Sequence, residues 1–249
     1  MAEKSKFDTE STARHYAAAR PTYPSELFDA LDDLLGHELD GARVVDVAAG
    51  TGISSRQLAE RGAQVTAVEL SGAMLAELAA ASPGVRAVQG SGHALPLADD
   101  SADLITYAQA WHWMDPEQAL PEIRRVLRPG GVLALWWNQT DRAHGWEREQ
   151  AERITAAAGP DWNRYSAFEL ADRIKLPADL RTHSFTFDWE RVVSIDTHLS
   201  NVASKSYIAN LGEATAPFID RERELLLELF PDGQVTEKFS TLLIAALFL

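Results

Sequence analysis

The chain has 249 residues, of which 46% are hydrophobic and 24% are charged. A chain of this size and composition buries enough apolar surface to fold without disulfides or metal ions. The absence of cysteine excludes disulfide scaffolds, zinc ribbons, iron–sulfur clusters and thiol nucleophiles. The formal net charge of −14 disfavours nucleic acid as a partner, because an acidic surface repels phosphate groups.

Neither end of the sequence indicates a membrane segment or an export signal. The opening residues are polar and charged, unlike a signal peptide. The longest apolar stretch, Leu242 to Leu249, is far shorter than the about 20 residues that a spanning helix needs, and it predicts a buried strand. We therefore expect a cytoplasmic protein with no membrane partner. The oligomeric state stays open.

The predicted elements begin with two helices, an alanine-rich one over Asp8 to Arg20 and one over Ser25 to Gly36. Short apolar runs then alternate with helical stretches as far as residue 137. This alternation predicts βαβ units in a parallel sheet with helices on both faces. The predicted strands of this part are residues 43–48, 64–68, 85–88, 103–107 and 132–137.

The second half of the sequence has a different pattern. It predicts a helix over 146–158, a half-buried strand over 182–189, helices over 195–211 and 220–230, and a closing strand over 239–249. We expect the late helices to form a cap over the carboxyl edge of the sheet. The whole chain, 1–249, is predicted as one domain, with the ligand-binding half in 1–140 and the substrate side in 141–249.

The first strand-to-helix turn carries the strongest signal for a ligand. Gly50 and Gly52 allow a sharp turn and a close backbone approach, and the following helix offers free N–H groups. Glu69 ends the second strand, where an acid can accept hydrogen bonds from ribose hydroxyls. Ser55 stands where dinucleotide sites have a third glycine, and no Walker lysine follows. This pattern favours a nucleoside without phosphate, with a purely structural turn as the alternative.

The order of these motifs resembles class I S-adenosylmethionine-dependent methyltransferases. The resemblance rests on Val44–Gly52, Glu69, the loop Gly90–Pro96 and the turn Arg125–Gly131. The segment Tyr16–Pro24 and the run Trp111–Trp113 are similar to the small-molecule branch that includes trans-aconitate methyltransferase-like enzymes. The resemblance implies a Rossmann-like, seven-stranded, mostly parallel sheet with a late antiparallel strand, S-adenosylmethionine as cofactor and no metal.

The resemblance also implies which positions line the cofactor. Asp46 and the backbone of Ala48 to Gly52 are expected against its methionine part, and Glu69 at the ribose. An N-terminal segment with Tyr16 and Arg20 is expected to close over the cofactor, although Arg20 could equally pair with a surface acid. The positions expected near the adenine or beneath the cofactor are Leu70, Met74, Gly92, His93, Ala94, Ala108 and Gln109.

Two positions depart from the family pattern. Ala48 replaces the first glycine of the turn, and Ser91 replaces the usual aspartate of the third loop. Weaker cofactor binding is the expected consequence, without its loss.

His112 is the candidate catalytic residue, because an imidazole after the fourth strand could remove a proton from a hydroxyl acceptor. The alternative is a local hydrogen bond within a packed Trp111–Trp113 corner. Trp136, Trp137, Trp146 and Trp162 could line an acceptor pocket, although core packing is the simpler interpretation. The run Glu222–Glu224 reads as a solvated helix face, and Asp141, Arg142 and His144 as a solvated loop.

These observations predict a methyltransferase that acts on a small molecule at oxygen, by direct displacement with alignment by the protein. The Asn-Pro-Pro-Tyr motif expected of amino-group methylators is absent after the fourth strand. The alternatives are methylation of nitrogen or carbon, RNA or protein substrates, a noncatalytic binder of the cofactor, and a nicotinamide oxidoreductase.

Overall fold

The computed structural model describes residues 20–140, 145–159, 174 and 176–248. The predicted helix before Arg20, with Tyr16, therefore lies outside the described residues, as do Trp162 and the segment 141–144. Among the described residues, no helix combines the length and the apolar character needed to cross a bilayer.

The fold is built on a seven-stranded sheet with the order β3-β2-β1-β4-β5-β7-β6. Strands β1 to β5 pair in parallel, and β7 is antiparallel to both β5 and β6. The predicted mostly parallel sheet with a late antiparallel strand is thus confirmed. The strands are β1 (Arg43–Val47), β2 (Gln64–Glu69), β3 (Arg86–Gln89), β4 (Ala102–Ala108), β5 (Leu127–Thr140), β6 (Arg181–Ser194) and β7 (Gln234–Phe248).

Helices connect the strands and extend the second half. A proline that lacks a backbone N–H opens α4, and Asp115 caps that helix by accepting from the N–H of Glu117. The predicted helix over 195–211 is divided into two shorter ones. The helices are α1 (Ser25–Leu35), α2 (Ile53–Glu60), α3 (Gly72–Ala81), α4 (Pro116–Val126), α5 (Gly145–Ala158), α6 (Ile195–Ala203), α7 (Ser206–Ala209) and α8 (Thr215–Leu229).

The hydrophobic core lies on both faces of the sheet. Because side chains alternate along a strand, Leu104 of β4 packs on one face with Phe28 of α1, and Ile105 packs on the other with Ile123 of α4. Burial on both faces explains why these strands are nearly continuous apolar runs.

The late helices form the cap expected at the carboxyl edge of the sheet. The carboxyl end of β5, Thr140, pairs with Phe239 of β7. Beyond that point β6 and β7 continue as a two-stranded ribbon to the pair Ser194 and Gln234. Helices α6 to α8 are inserted between these two residues, so they begin beyond the carboxyl end of β5. Their apolar side chains, among them Leu199 and Leu226, form a separate small core with Val235 of the ribbon.

A buried polar network holds this cap together. Glu222 of α8 is 1% exposed and accepts hydrogen bonds from Arg153, at 2.5 Å, and from Gln150, at 3.0 Å. The imidazole of His198 lies between Gln150 Oε1, at 3.0 Å, and Glu237 Oε1, at 2.7 Å. The interpretation of Glu222 as part of a solvated face is therefore wrong, because α5 covers that side of α8.

Candidate cofactor site

The turn after β1 has the sharp backbone that its glycines predict. Gly50 and Gly52 take φ angles of 58° and 78°, in the left-handed region. A Cβ on Gly52 would lie 2.7 Å from Leu78 Cγ, whereas one on Gly50 would point into open space. Ala48 also takes a positive φ, 53°, in the left-handed region that favours glycine. The turn therefore keeps the expected shape, with alanine in a conformation that is unfavourable for it.

Glu69 lies directly against this turn. Its Oε2 accepts a hydrogen bond from the N–H of Gly50 at 2.9 Å, and its Oε1 accepts one from the N–H of Ser71 at 2.8 Å. The carboxylate thus bridges the turn after β1 and the start of α3. A carboxylate has about four lone-pair positions, so two accepted bonds leave it able to accept more from a ligand.

Asp46 lies beneath the turn and is fully buried. It accepts hydrogen bonds from Ser55 Oγ at 2.6 Å and from Thr106 Oγ1 at 2.8 Å. Burial raises the pKa of Asp46 to about 6, although these two hydroxyl groups favour the ionised form. The side chain therefore fixes the positions of β4 and α2 below the turn, and its expected proximity to the methionine part of a cofactor stays a prediction.

The loop between β3 and β4 forms a second wall at the same edge. Its residues Gly92 and His93 are partly exposed and Ala94 is exposed, and Ser91 Oγ accepts from the N–H of His93 at 3.2 Å. The ring of His93 is turned towards α4, where its Nε2 accepts from the N–H of Asp115 at 2.9 Å. The hydroxyl of Ser91 thus accepts a hydrogen bond within the loop. The family's aspartate would add a negative charge at this position.

Two residues of α4 anchor this loop. Arg125 donates to the carbonyl oxygens of Leu95, at 3.0 Å, and Leu97, at 2.8 Å. Glu122 accepts from the N–H of Leu95 at 2.7 Å and pairs with Arg125 at 2.8 Å. The sequence analysis used Arg125 only as part of a turn motif and did not single out Glu122. The spacing of three residues on a helix could have indicated this pair.

The other predicted cofactor positions lie around the same strand ends. Leu70 follows Glu69 and is 55% exposed, which is unusual for a leucine beside a buried sheet, whereas Met74 of α3 is buried. Ala108, at the end of β4, is partly exposed. Gln109 has a φ of 58°, and its N–H donates to the carbonyl of Trp136 at 2.8 Å. These positions therefore share the carboxyl edge with Glu69.

Arg20 reaches the cap in this structure. Its Nη2 donates to the carbonyl of Ser204 at 3.3 Å, and its own carbonyl accepts from Arg191 at 3.5 Å. The segment that follows is tied to the sheet, because Thr22 accepts from Asn138 Nδ2 at 2.8 Å and Tyr23 bonds to Gln57 through its N–H and its carbonyl. The N-terminal segment thus joins the cap to the carboxyl edge, and the pairing of Arg20 with a cofactor carboxylate stays a prediction.

His112 lies in a single 3-10 turn, Trp111–Trp113, just after β4. Its Nδ1 accepts from Trp137 Nε1 at 3.4 Å, and its ring centre lies 4.7 Å from that of Trp113, which is 65% exposed. Burial lowers the pKa of His112 to about 4. The ring is therefore neutral at pH 7.

Trp136 and Trp146 pack in hydrophobic cores. Trp136 is fully buried and meets Tyr23 and Phe28 edge-on. Trp146 packs in the cap against His198 and Phe230. Core packing thus accounts for these two side chains without an acceptor pocket.

The strand order defines a doubly wound α/β protein. The acid beside the glycine turn lies at the carboxyl edge of its sheet, where folds of this class bind ligands. A family model described as a methyltransferase domain matches residues 45–135. A structure from Anaeromyxobacter dehalogenans, described as a type II methyltransferase, has the same fold, with a TM-score of 0.72 at 22% identity over 92% of this chain and 97% of that chain.

Relatives in sequence establish the family. An uncharacterized methyltransferase of Mycobacterium tuberculosis is 39% identical over 85% of this chain and 82% of its own length. The malonyl-[acyl-carrier protein] O-methyltransferase of Enterobacter lignolyticus is 38% identical over 66% of this chain and 67% of its own length. The chain belongs to the class I S-adenosylmethionine-dependent methyltransferases. The narrower likeness to trans-aconitate methyltransferase-like enzymes stays a prediction.

Proposed function

We propose that this enzyme binds S-adenosylmethionine at the carboxyl edge of β1, β2 and β4 and transfers its methyl group to an oxygen atom of a small molecule. The observation that carries the proposal is the Glu69 carboxylate, held against the turn after β1 by the N–H groups of Gly50 and Ser71. The open space beside Gly50 leaves room for a ligand next to that carboxylate.

The donor set fits an adenosine group with a positive sulfur. In this proposal Glu69 accepts hydrogen bonds from the ribose hydroxyls, and the exposed side chain of Leu70 offers an apolar surface to the adenine. The charges of Glu69 and of the ionised Asp46 favour a cation at this edge. When bound, the cofactor supplies an electrophilic methyl group on a sulfonium, and the protein contributes alignment and exclusion of water.

A small acceptor is supported by the way the chain closes this edge. The cap lies beyond the end of β5, and the Arg20–Tyr23 segment joins it to the sheet. A site closed on these sides suits a molecule that the cap can enclose better than it suits a nucleic acid, which the net charge of −14 also disfavours. Transfer to oxygen is supported by the O-methyltransferase relative, although that protein matches only part of this chain.

Calorimetric titration of S-adenosylmethionine into the Glu69→Gln variant tests the cofactor site. An amide cannot accept from both N–H groups and both ribose hydroxyls, so we expect Kd to rise by about 10- to 100-fold. Glu117→Gln is the matched control, since Glu117 is an exposed residue at the start of α4, and its Kd should equal that of the wild type. An unchanged Kd for Glu69→Gln would rule out the proposed ribose contact.

Incubation with methyl-labelled S-adenosylmethionine and a panel of carboxylic acids, phenols, alcohols and amines tests the acceptor. Label transfer to an oxygen acceptor supports the proposal. Transfer only to amines, or tight cofactor binding without turnover on any acceptor while the positive control enzyme works, contradicts it.

A further inference from the structure

The indole of Trp137 restricts which nitrogen of His112 carries a proton. An indole N–H can only donate, so the contact at 3.4 Å requires an unprotonated Nδ1 on His112. The neutral ring must then carry its hydrogen on Nε2. This assignment follows from the donor chemistry of tryptophan.

The surroundings keep the two rings in this arrangement. Trp137 is 3% exposed and belongs to the core on the α4 face of the sheet. Trp111, one residue before His112, is 4% exposed and meets Tyr107 edge-on, with ring centres 5.1 Å apart. Trp111 thus attaches the start of the 3-10 turn to the core, and Trp137 contacts the imidazole from the buried strand β5.

We propose that Trp137 is a positioning residue that keeps His112 in its Nε2–H form, so that His112 donates a hydrogen bond to the methyl acceptor and does not remove a proton from it. The proposal rests on the proposed function and concerns the chemistry of its acceptor. The acceptor oxygen must then be ionised before transfer. It forms the new C–O bond with its own electron pair, the electrons of the C–S bond go to sulfur, and no proton has to leave.

The same conclusion is supported by the titration of the ring. A base that works near pH 7 needs a pKa close to that value, whereas burial lowers the pKa of His112 to about 4. Protonation of Nδ1 would also break the bond from Trp137. A neutral donor, by contrast, needs no change of protonation during turnover.

Long-range ¹H–¹⁵N NMR of the uniformly labelled full chain tests the tautomer without an acceptor. The His112 signals are identified by their loss in His112→Gln. We expect the Nε2–H form in the wild type, unchanged from pH 5.5 to pH 8, and a shift towards the Nδ1–H form in Trp137→Phe. An Nδ1–H form in the wild type, a titration within that range, or no change in Trp137→Phe overturns the proposal.

Trp136→Phe is the matched control. Trp136 precedes Trp137 on β5 but packs on the opposite face, and its Nε1 has no hydrogen-bond partner among the described residues. The two variants therefore lose the same atoms from neighbouring positions, and only Trp137→Phe should change the tautomer. Equal changes in both variants would mean that core packing, and not the indole N–H, sets the tautomer.

Kinetics with an oxygen acceptor identified in the panel separates a donor from a base. A glutamine side chain carries an N–H near the Nε2 position but cannot accept a proton, so His112→Gln should keep most of kcat while His112→Ala loses about tenfold. A loss in His112→Gln as large as in His112→Ala, with a wild-type rate that depends on a group titrating near pH 7, contradicts the donor role. Because the NMR result needs no turnover, failure of the proposed function and failure of this inference remain distinguishable.

Discussion

Replacement of Asp46 by asparagine tests how strongly a buried charge is held beneath the candidate cofactor site. Asp46 is 0% exposed, and burial raises its pKa from 3.8 to about 6. The difference of about 2 pKa units corresponds to about 3 kcal/mol between the two protonation states. Ionised Asp46 therefore lowers the free energy of unfolding at pH 7 by about that amount.

The sign of the pH dependence follows from proton binding. Between about pH 4 and pH 6 the native state holds the Asp46 proton more tightly than the unfolded chain does, so this group lowers stability as the pH rises through that window. Asparagine has no such transition. We expect Asp46→Asn to match the wild type near pH 4 and to exceed it by up to about 3 kcal/mol at pH 7.

Urea unfolding of both proteins at a series of pH values measures this difference. Asp103→Asn is the control of opposite sign. Although partial burial acts to raise the pKa of Asp103, hydrogen bonds from Arg43 and Arg128 outweigh it and hold the pKa well below its usual range. Asp103 therefore stabilises the fold above about pH 4, and this contribution is lost as the pH falls through its native pKa.

The charge of Asp46 can be tested through protein stability and through ligand binding. A stability difference between Asp46→Asn and the wild type that is constant from pH 4 to pH 7.5 would refute the charge argument. A buried carboxylate attracts a sulfonium but not a neutral thioether. Asp46→Asn should therefore also weaken the binding of S-adenosylmethionine, measured by calorimetry, more than the binding of S-adenosylhomocysteine. Equal effects on the two ligands would separate the charge from cofactor recognition.

Two further variants test the cap and the turn. Glu222→Gln removes the negative charge that pairs with the Arg153 guanidinium, so it should lower the free energy of unfolding in urea by about 3 kcal/mol. Glu224→Gln is the control on the exposed side of the same helix and should have no effect. Ala48→Gly relieves a φ of 53° and should stabilise the chain by about 1 kcal/mol, whereas Ala49→Gly, outside the left-handed region, should destabilise it. Urea unfolding measures both differences. Equal effects of the two variants in a pair would contradict the corresponding argument.

Local patterns in the sequence were sufficient for the parallel half of the fold. A strand buried on both faces needs a continuous apolar run, and a sharp strand-to-helix turn needs glycine, so β1 and its turn at Gly50 could be predicted from neighbouring residues alone. The same holds for Glu69, because the end of β2 and the end of β1 meet at one edge in any parallel sheet. These features depend on short-range spacing and on a topology with few alternatives.

The tertiary structure alone decided which polar side chains are buried and what they contact. Glu222 has the sequence surroundings of a solvated helix face, and only the packing of α5 against α8 turns it into a buried partner of Arg153. The imidazole of His112 likewise accepts a hydrogen bond from Trp137, which lies on β5, 25 residues further along the chain. Such contacts join distant segments, so the periodicity of the sequence does not predict them. Burial in the folded chain then determines the charge and the hydrogen-bonding role of each group.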